Sequence, residues 1–411
     1  MPRSLPWFLV LMLVLAGLLG SLTPARAASR VSGPMVGHVT SSSALIWVYA
    51  GSRSRVVVQY RREVDPKGSG KSVPMPGYTA GPGTCRVKLT GLQPGTKYVY
   101  AAYVDGRYKP EWRGTFTTAS VEGRPGRFRV AFTSCMKPDH PDHRTFGVLY
   151  RRKPDLFLLL GDNVYADTTN RGRLWEAHLA MRKAPPFARI IKNIPTLAVW
   201  DDHDFFNDNS DGTAPGKSQS LLAFQELFPN PSFGIPGIPG VFFSFRRADV
   251  DFFMLDVRYH RSPNKAPHGP QKTMLGEGQH RWLVEGLKRS RARFKVLVSG
   301  STLAAKAGDS WKSFPHARRR LFGAIRDHGV QGVVFLSGDL HRSVIQVHPK
   351  AETGFYDLVE VISSGIAVGG PMNYAELDFD TTLADPTMTA RVVERDGRIG
   401  KEQIVRLSSL R

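Results

Sequence analysis

Beyond Arg127 the chain repeats one unit, a short apolar run that ends on a polar residue and is followed by a longer stretch with helical spacing. The runs are Phe128–Thr133, Leu156–Leu160, Thr196–Trp200, Phe252–Asp256, Val296–Ser299, Val333–Ser337 and Val359–Ile362. A strand that is apolar along its whole length, rather than at every second residue, has both faces buried, so helices must cover the sheet on its faces. The intervening segments supply them. Ser218–Phe228 carries Leu221, Phe224 and Phe228 at helical spacing, Gln279–Arg289 carries Trp282, Leu283 and Leu287, and Ser313 with Pro315 reads as a capped start for a helix through Leu321 and Ile325. The pattern predicts an α/β domain over 127–411, closing on a hairpin around Asp396-Gly397.

The preceding segment has a different rhythm. From Val36 to Thr118 the sequence reads as short strands separated by Gly, Pro and Ser turns, with no sustained helical period, which predicts a small all-β sandwich over 30–119. Gly91-Leu92-Gln93-Pro94-Gly95-Thr96-Lys97-Tyr98 resembles the turn and strand of fibronectin type III modules, in which the tyrosine anchors a corner. A Gly/Pro-rich stretch, 120–126, reads as the linker. At the start, Arg3, the apolar run Trp7–Gly20 and the Ala25-Arg26-Ala27 site read as a Sec-type signal peptide over 1–27. That leader predicts export to the periplasm or outside, with no membrane span after cleavage.

Composition narrows the class further. At 411 residues and 41% hydrophobic content the chain is long and apolar enough for a folded core, which excludes a disordered or fibrous protein. Its net charge of +21 attracts polyanions such as phosphopolymers, nucleic acid or anionic lipid, and fits a solvated basic face equally well. The densest basic runs, Arg151-Arg152-Lys153 and Arg318-Arg319-Arg320, belong on helix surfaces. The two cysteines, Cys85 and Cys135, are compatible with one disulfide in an oxidising compartment.

Polar clusters stand just past the C-terminal ends of the predicted strands, where open α/β sheets place their sites. They are Ser134-Cys135, Gly161-Asp162-Asn163-Val164-Tyr165, Asp201-Asp202-His203-Asp204 with Asn207 and Asn209, Asp256-Val257-Arg258, and Ser337-Gly338-Asp339-Leu340-His341. Singly, each has an ordinary structural reading: a helix cap, a buried thiol or a hydrogen-bonded histidine. Together they point to a metal centre, because the adjacent carboxylates Asp201 and Asp202 at the end of an apolar strand need a counter-charge. Asp and Asn oxygens suit hard cations, whereas a thiolate, a phenolate and an imidazole suit a transition ion, and both donor types are present.

These motifs resemble the alkaline phosphatase D (PhoD-like) metallophosphatases, through Ser134-Cys135, Leu160-Gly161-Asp162-Asn163-Val164-Tyr165-Ala166-Asp167, Trp200-Asp201-Asp202-His203-Asp204, Leu255-Asp256-Val257-Arg258-Tyr259, Met274-Leu275-Gly276-Glu277-Gly278-Gln279 and Leu336-Ser337-Gly338-Asp339-Leu340-His341. The resemblance implies a metallophosphoesterase-type αββα sandwich and an iron and calcium centre. Cys135, Asp162, Tyr165 and His341 would hold the iron-like ion. Asp162 would bridge to the harder ions, completed by Asp202 and Asp339, with Asp201 and Asn207 as further contributors. His203 would face the leaving group and Arg258 would contact substrate phosphate. With Cys135 as a ligand, Cys85 stays a lone thiol. The twin-arginine pair common in the family is absent from the leader, and Ser299-Gly300-Ser301-Thr302 stands where members often carry Ser-Ser-x-Gln.

The resulting expectation is an exported phosphoesterase acting on phosphate monoesters, diesters or both, including polymeric or lipid-borne ones, with no dedicated protein partner. The competing expectation is a non-catalytic polyanion-binding protein that keeps the fold without turnover.

Overall fold

The computed structural model describes residues 31–411 except 52, 75–82, 138–142, 305–307, 369 and 371, so the expected signal peptide lies outside the described residues. Among the described residues seven strands come first: β1 (Ser32–Val39), β2 (Ser43–Tyr49), β3 (Val56–Arg62), β4 (Lys71–Pro74), β5 (Thr84–Thr90), β6 (Lys97–Val104) and β7 (Arg107–Thr117). They form a three-stranded sheet, β1-β2-β5, and a four-stranded sheet, β4-β3-β6-β7. The expected corner is present, with Tyr98 Oη accepting the Gln93 N–H at 2.9 Å.

Among the described residues, twelve further strands and eight α-helices follow. In chain order they are β8 (Arg127–Thr133), α1 (His143–Arg151), β9 (Leu156–Leu160), α2 (Arg171–Lys183), α3 (Pro185–Asn193), β10 (Thr196–Val199), α4 (Asp202–Phe205), α5 (Lys217–Leu227), β11 (Phe243–Arg247), β12 (Val250–Met254), α6 (Gly276–Arg289), β13 (Phe294–Val298), α7 (Pro315–Asp327), β14 (Val333–Ser337), β15 (Val344–His348), α8 (Lys350–Thr353), β16 (Leu358–Ile362), β17 (Asn373–Asp380), β18 (Thr387–Glu394) and β19 (Ile399–Arg406). They build two six-stranded sheets, β10-β9-β8-β17-β18-β19 and β11-β12-β13-β14-β16-β15. The sheets pack face to face through aromatic side chains: Phe379 of β17 stacks on Phe128 at 5.0 Å and meets Phe252 and Phe294 of the other sheet at 6.2 and 5.6 Å. Phe253, next along β12, points to the opposite face and meets Trp282 of α6 at 6.0 Å. This is the two-faced burial that the uninterrupted apolar runs require.

Several elements depart from the sequence reading. Alternation in β17 is hidden because Glu376, on the face opposite Phe379, is buried along with Asn373 at the strand's start. The α7 helix starts at Pro315 with Phe314 before it, and Ser313 ends a 3-10 turn rather than capping the helix. Both cysteines are buried, and neither is in a disulfide. Part of the charge of the basic runs is paired, Arg152 with Glu376, Arg318 with Glu352 and Arg320 with Glu277. Among the described residues, no helix is long and apolar enough to cross a membrane.

The sandwich docks on the helices of the first sheet through specific polar contacts. Trp47 Nε1 donates to Glu226 O at 2.8 Å, and the buried Arg182 guanidinium lies over the Trp47 and Phe228 rings at 5.1 and 4.8 Å. His38 of β1 meets the Phe245 ring at 5.9 Å and its N–H donates to Pro229 O. Burial, then the charges of Arg247 and Lys88, push its pKa down to about 4. Between about pH 6.5 and 4 the unfolded chain therefore binds a proton that the folded chain refuses, so stability rises with pH across that window and is lost on acidification. Denaturant unfolding at pH 7 and pH 4 should show His38→Gln sparing on the order of 3 kcal/mol of the acid loss. Equal losses in both proteins would show that His38 does not carry the effect.

Candidate metal centre and active site

The β10, β9 and β8 strands are parallel neighbours, so their C-terminal ends bring Asp201-Asp202, Asp162 and Cys135 side by side. In the facing sheet β12, β13, β14 and β16 are also parallel, and the loops after them carry Arg258, Gly300, Asp339 and Ser363. The loops of the two sheets are tied together. Gly338 N–H donates to Gly300 O at 3.0 Å, Ser134 Oγ donates to Ser363 O at 3.1 Å and accepts the Asp339 N–H at 3.3 Å. Gly300 has to be a glycine here, because a Cβ would lie 2.7 Å from the Asp201 carboxylate carbon. Cys135, Asp162, Asp339 and His341 all adopt left-handed backbone, at φ of 59°, 47°, 72° and 55°. Each such non-glycine residue costs about 1–3 kcal/mol and persists where surrounding structure dictates it, commonly at functional sites.

Ligand atoms of Asp162, Asp202 and His203 lie within 4.8 Å of one another. Cys135 Sγ donates to Asp162 Oδ2 at 3.4 Å, the His203 N–H reaches Asp162 Oδ1 at 3.3 Å, and the Asn209 N–H donates to Asp202 Oδ2 at 2.6 Å. Tyr165 Oη is 3.2 Å from His341 Nε2, and the Tyr165 ring packs 4.1 Å from that of His203. Burial raises Asp162 well above the usual carboxylate range, and its neighbours Asp202, Asp201, Asp204 and Asp339 raise it further. Burial likewise raises Asp201 despite Arg258. For Asp202 the charges of Arg258 and His203 and the Asn209 N–H outweigh burial and hold it at about 2. The thiol of Cys135 and the phenol of Tyr165 are both pushed up, first by burial and then by nearby negative charge. Asp201 Oδ2 and Asp202 Oδ1 are buried without a hydrogen-bond partner. Buried, crowded carboxylates with unsatisfied oxygens are the donor set that a cation satisfies.

The expected residues converge here except Asn207, and Arg258 arrives with its side chain turned to the carboxylates. Arg258 was expected on substrate phosphate, but its side chain is fully enclosed. Its Nε binds Asp201, one Nη donates to Ser210 O at 2.9 Å, and the other sits 2.8 Å from Asp309 and 3.6 Å from Asp202. It is a counter-charge that holds the carboxylates together. Asn207 is exposed, and the chain meets Asp202 through the backbone of Asn209 instead.

Other participants escaped the sequence reading. Asp167 Oδ1 is 2.5 Å from His203 Nδ1, Asp208 lies 3.8 Å from Nε2, and Lys137 Nζ stands 4.7 Å above the Tyr165 ring. Asp167 lies inside the motif around Asp162, a spacing that offered a signal. Asp309 lies in a loop with no pattern.

Residues 176–399, more than half of the chain, match the PhoD-like phosphatase family, and residues 27–120 match a domain of unknown function (DUF7800). The first match contains Asp201, Asp202, Arg258, Asp339 and His341, whereas Cys135, Asp162 and Tyr165 precede it. Alkaline phosphatase D of Bacillus subtilis (strain 168) is 24% identical over 355 residues, 73% of this chain; the chain spans 60% of that relative's length. Among solved structures, one of PhoD superposes with a TM-score of 0.73 at 19% identity, covering 92% of both chains. Purple acid phosphatase PPD1 from yellow lupin (Lupinus luteus) seeds gives 0.68 at 13% identity over 92% of this chain and 74% of its own. Shared sheets and helices, strand-end carboxylates and a match over most of the larger domain agree on one assignment: the chain belongs to the PhoD-like phosphatase family.

Proposed function

We propose that this protein is an exported, metal-dependent phosphoesterase that hydrolyses phosphate monoesters and diesters. The observation that carries it is the buried carboxylate cluster at the meeting point of both sheets, with oxygens of Asp201 and Asp202 left for a cation. Cys135, Tyr165 and His341 supply soft and imidazole donors, Asp202 and Asp339 supply oxygens, and Asp162 stands between the groups, which suits an iron-like ion beside calcium or another hard divalent ion. Bound there, metal ions supply Lewis-acid polarisation of a phosphoryl oxygen and a deprotonated water near neutral pH.

The chain's own side chains have separable tasks. Asp167 fixes the His203 ring through Nδ1, leaving Nε2 to give a proton or hydrogen bond to the departing oxygen. Lys137, a cation at the Tyr165 face, takes the phosphate-facing role that buried Arg258 leaves open. Arg258 keeps Asp201 and Asp202 adjacent despite their like charge.

Paired rates on p-nitrophenyl phosphate and bis-p-nitrophenyl phosphate, before and after chelation, test the reading. Turnover should fall to background on metal stripping and return with added iron and calcium. Metal-loaded protein that turns over neither ester, yet binds polyanions in a salt-sensitive and chelator-insensitive way, would favour the non-catalytic binder instead.

A further inference from the structure

We infer that a second, non-catalytic site for an extended phosphate polyanion runs along the seam between the sandwich and α3. A groove of about 630 Å³ is lined on one side by Pro110, Arg113 and Gly114 of β7 and on the other by Lys183, Pro185, Ala188, Arg189 and Lys192. Pro185, Ala188, Arg189 and Lys192 fall at i, i+3, i+4 and i+7, one stripe of α3, so the helix turns a single face to the groove. Small residues and cations line it, and among the described residues no acid does. Beside it, Glu111 turns its carboxylate toward Lys109, 3.8 Å away, while its carbonyl accepts Lys192 Nζ at 3.2 Å.

The groove is held open by a built seam. Tyr100 Oη donates to Lys192 O at 2.9 Å, and Thr115 N–H and Oγ1 reach Asn193 Oδ1 at 3.1 and 3.2 Å. A Cβ on Gly114 would lie 2.2 Å from Lys192 O, so only glycine allows the two domains this close. Arg189 is braced by stacking 4.1 Å from the Tyr150 ring. A second cavity of about 290 Å³ shares Thr115 and Asn193 with the first and adds Lys97 and Lys153, with Asp155 as its acid. Lys97 is paired there with Glu63 at 2.7 Å, so the basic lining continues past the seam through Lys153. An open channel with spaced cations suits an elongated chain better than a small ligand, and guanidinium forks match phosphate geometry. The track lies at the N-terminal end of β10, on the order of 17 Å along the strand from Asp201. It can hold a polymer without entering the active site, raising the local concentration of its phosphate groups. Only the choice of phosphate over other anions rests on the phosphoesterase reading.

The test uses Arg113→Glu/Lys183→Glu, two exposed positions outside the catalytic machinery, against Arg291→Glu/Arg319→Glu, which makes the same charge change at exposed positions elsewhere. The probe is fluorescein-labelled long-chain inorganic polyphosphate, titrated over a salt series by anisotropy. The groove variant should bind at least tenfold more weakly and lose about two units of salt slope, with thermal midpoint and p-nitrophenyl phosphate turnover unchanged. The control variant should lose much less. Equal losses in both variants, no binding by the unaltered protein, or equal affinity for polyglutamate of matched charge would each overturn the assignment. Because turnover is read on the same samples, absence of phosphatase activity registers separately.

Discussion

Asp162→Asn should abolish ester hydrolysis while making the metal-free protein more stable. The carboxylate sits between the thiol side and the Asp202 side of the cluster, accepting from Cys135 and from the His203 amide. Losing the shared donor should lower kcat/KM by about a thousandfold or more, the rate equivalent of about 4 kcal/mol. Bound metal should fall with it. In the metal-free protein the sign reverses, because Asp162 is raised by burial and by surrounding carboxylates and is costly to ionise. A neutral isostere removes that strain, so unfolding at neutral pH should require on the order of 1–3 kcal/mol more. Turnover retained in the variant, or a metal-free protein that is less stable, would remove Asp162 from the centre of the proposal.

Arg258→Met should have the opposite stability effect, a loss of about 3–5 kcal/mol in the metal-free protein. The guanidinium is fully enclosed and serves Asp201, Asp202 and Asp309 together, so removing it leaves buried negative charge without compensation. Lysine would not rescue it, since a single ammonium does not reach three carboxylates from one fixed plane. Denaturant midpoints check this directly. If Arg258 were a substrate contact, the variant would keep its stability and show mainly a raised KM for phosphate esters. That result would overturn the counter-charge role.

Much of this molecule is written in local pattern. The parallel strands of both sheets were legible because burial on two faces demands unbroken apolar runs such as Leu156–Leu160 and Val333–Ser337. Strand-end polar residues were legible for a related reason: most positions inside such a run are apolar, so a cluster of polar residues marks where the strand leaves the core, whereas Glu360 inside β16 is matched by Ser337 and His348. Tyr98 announced its corner through the turn before it. By contrast, β17 was obscured because its buried Glu376 is matched by Arg152 from a distant loop, and a polar residue with a remote partner looks exposed in one dimension.

The same distinction separates the two halves of the functional picture. The existence of the parallel strands, and the polar residues waiting at their ends, follow from sequence alone, since backbone geometry and burial act between near neighbours. The partner each charge finds is decided in three dimensions. Arg258, after β12 of the second sheet, meets Asp201, after β10 of the first. Within the conspicuous basic runs Arg152, Arg318 and Arg320 meet acids far along the chain, while Arg113, Lys183, Arg189 and Lys192, scattered over two domains, are gathered into one groove. Electrostatic interaction depends on distance through space and on solvent exposure, and neither is encoded by separation along the chain.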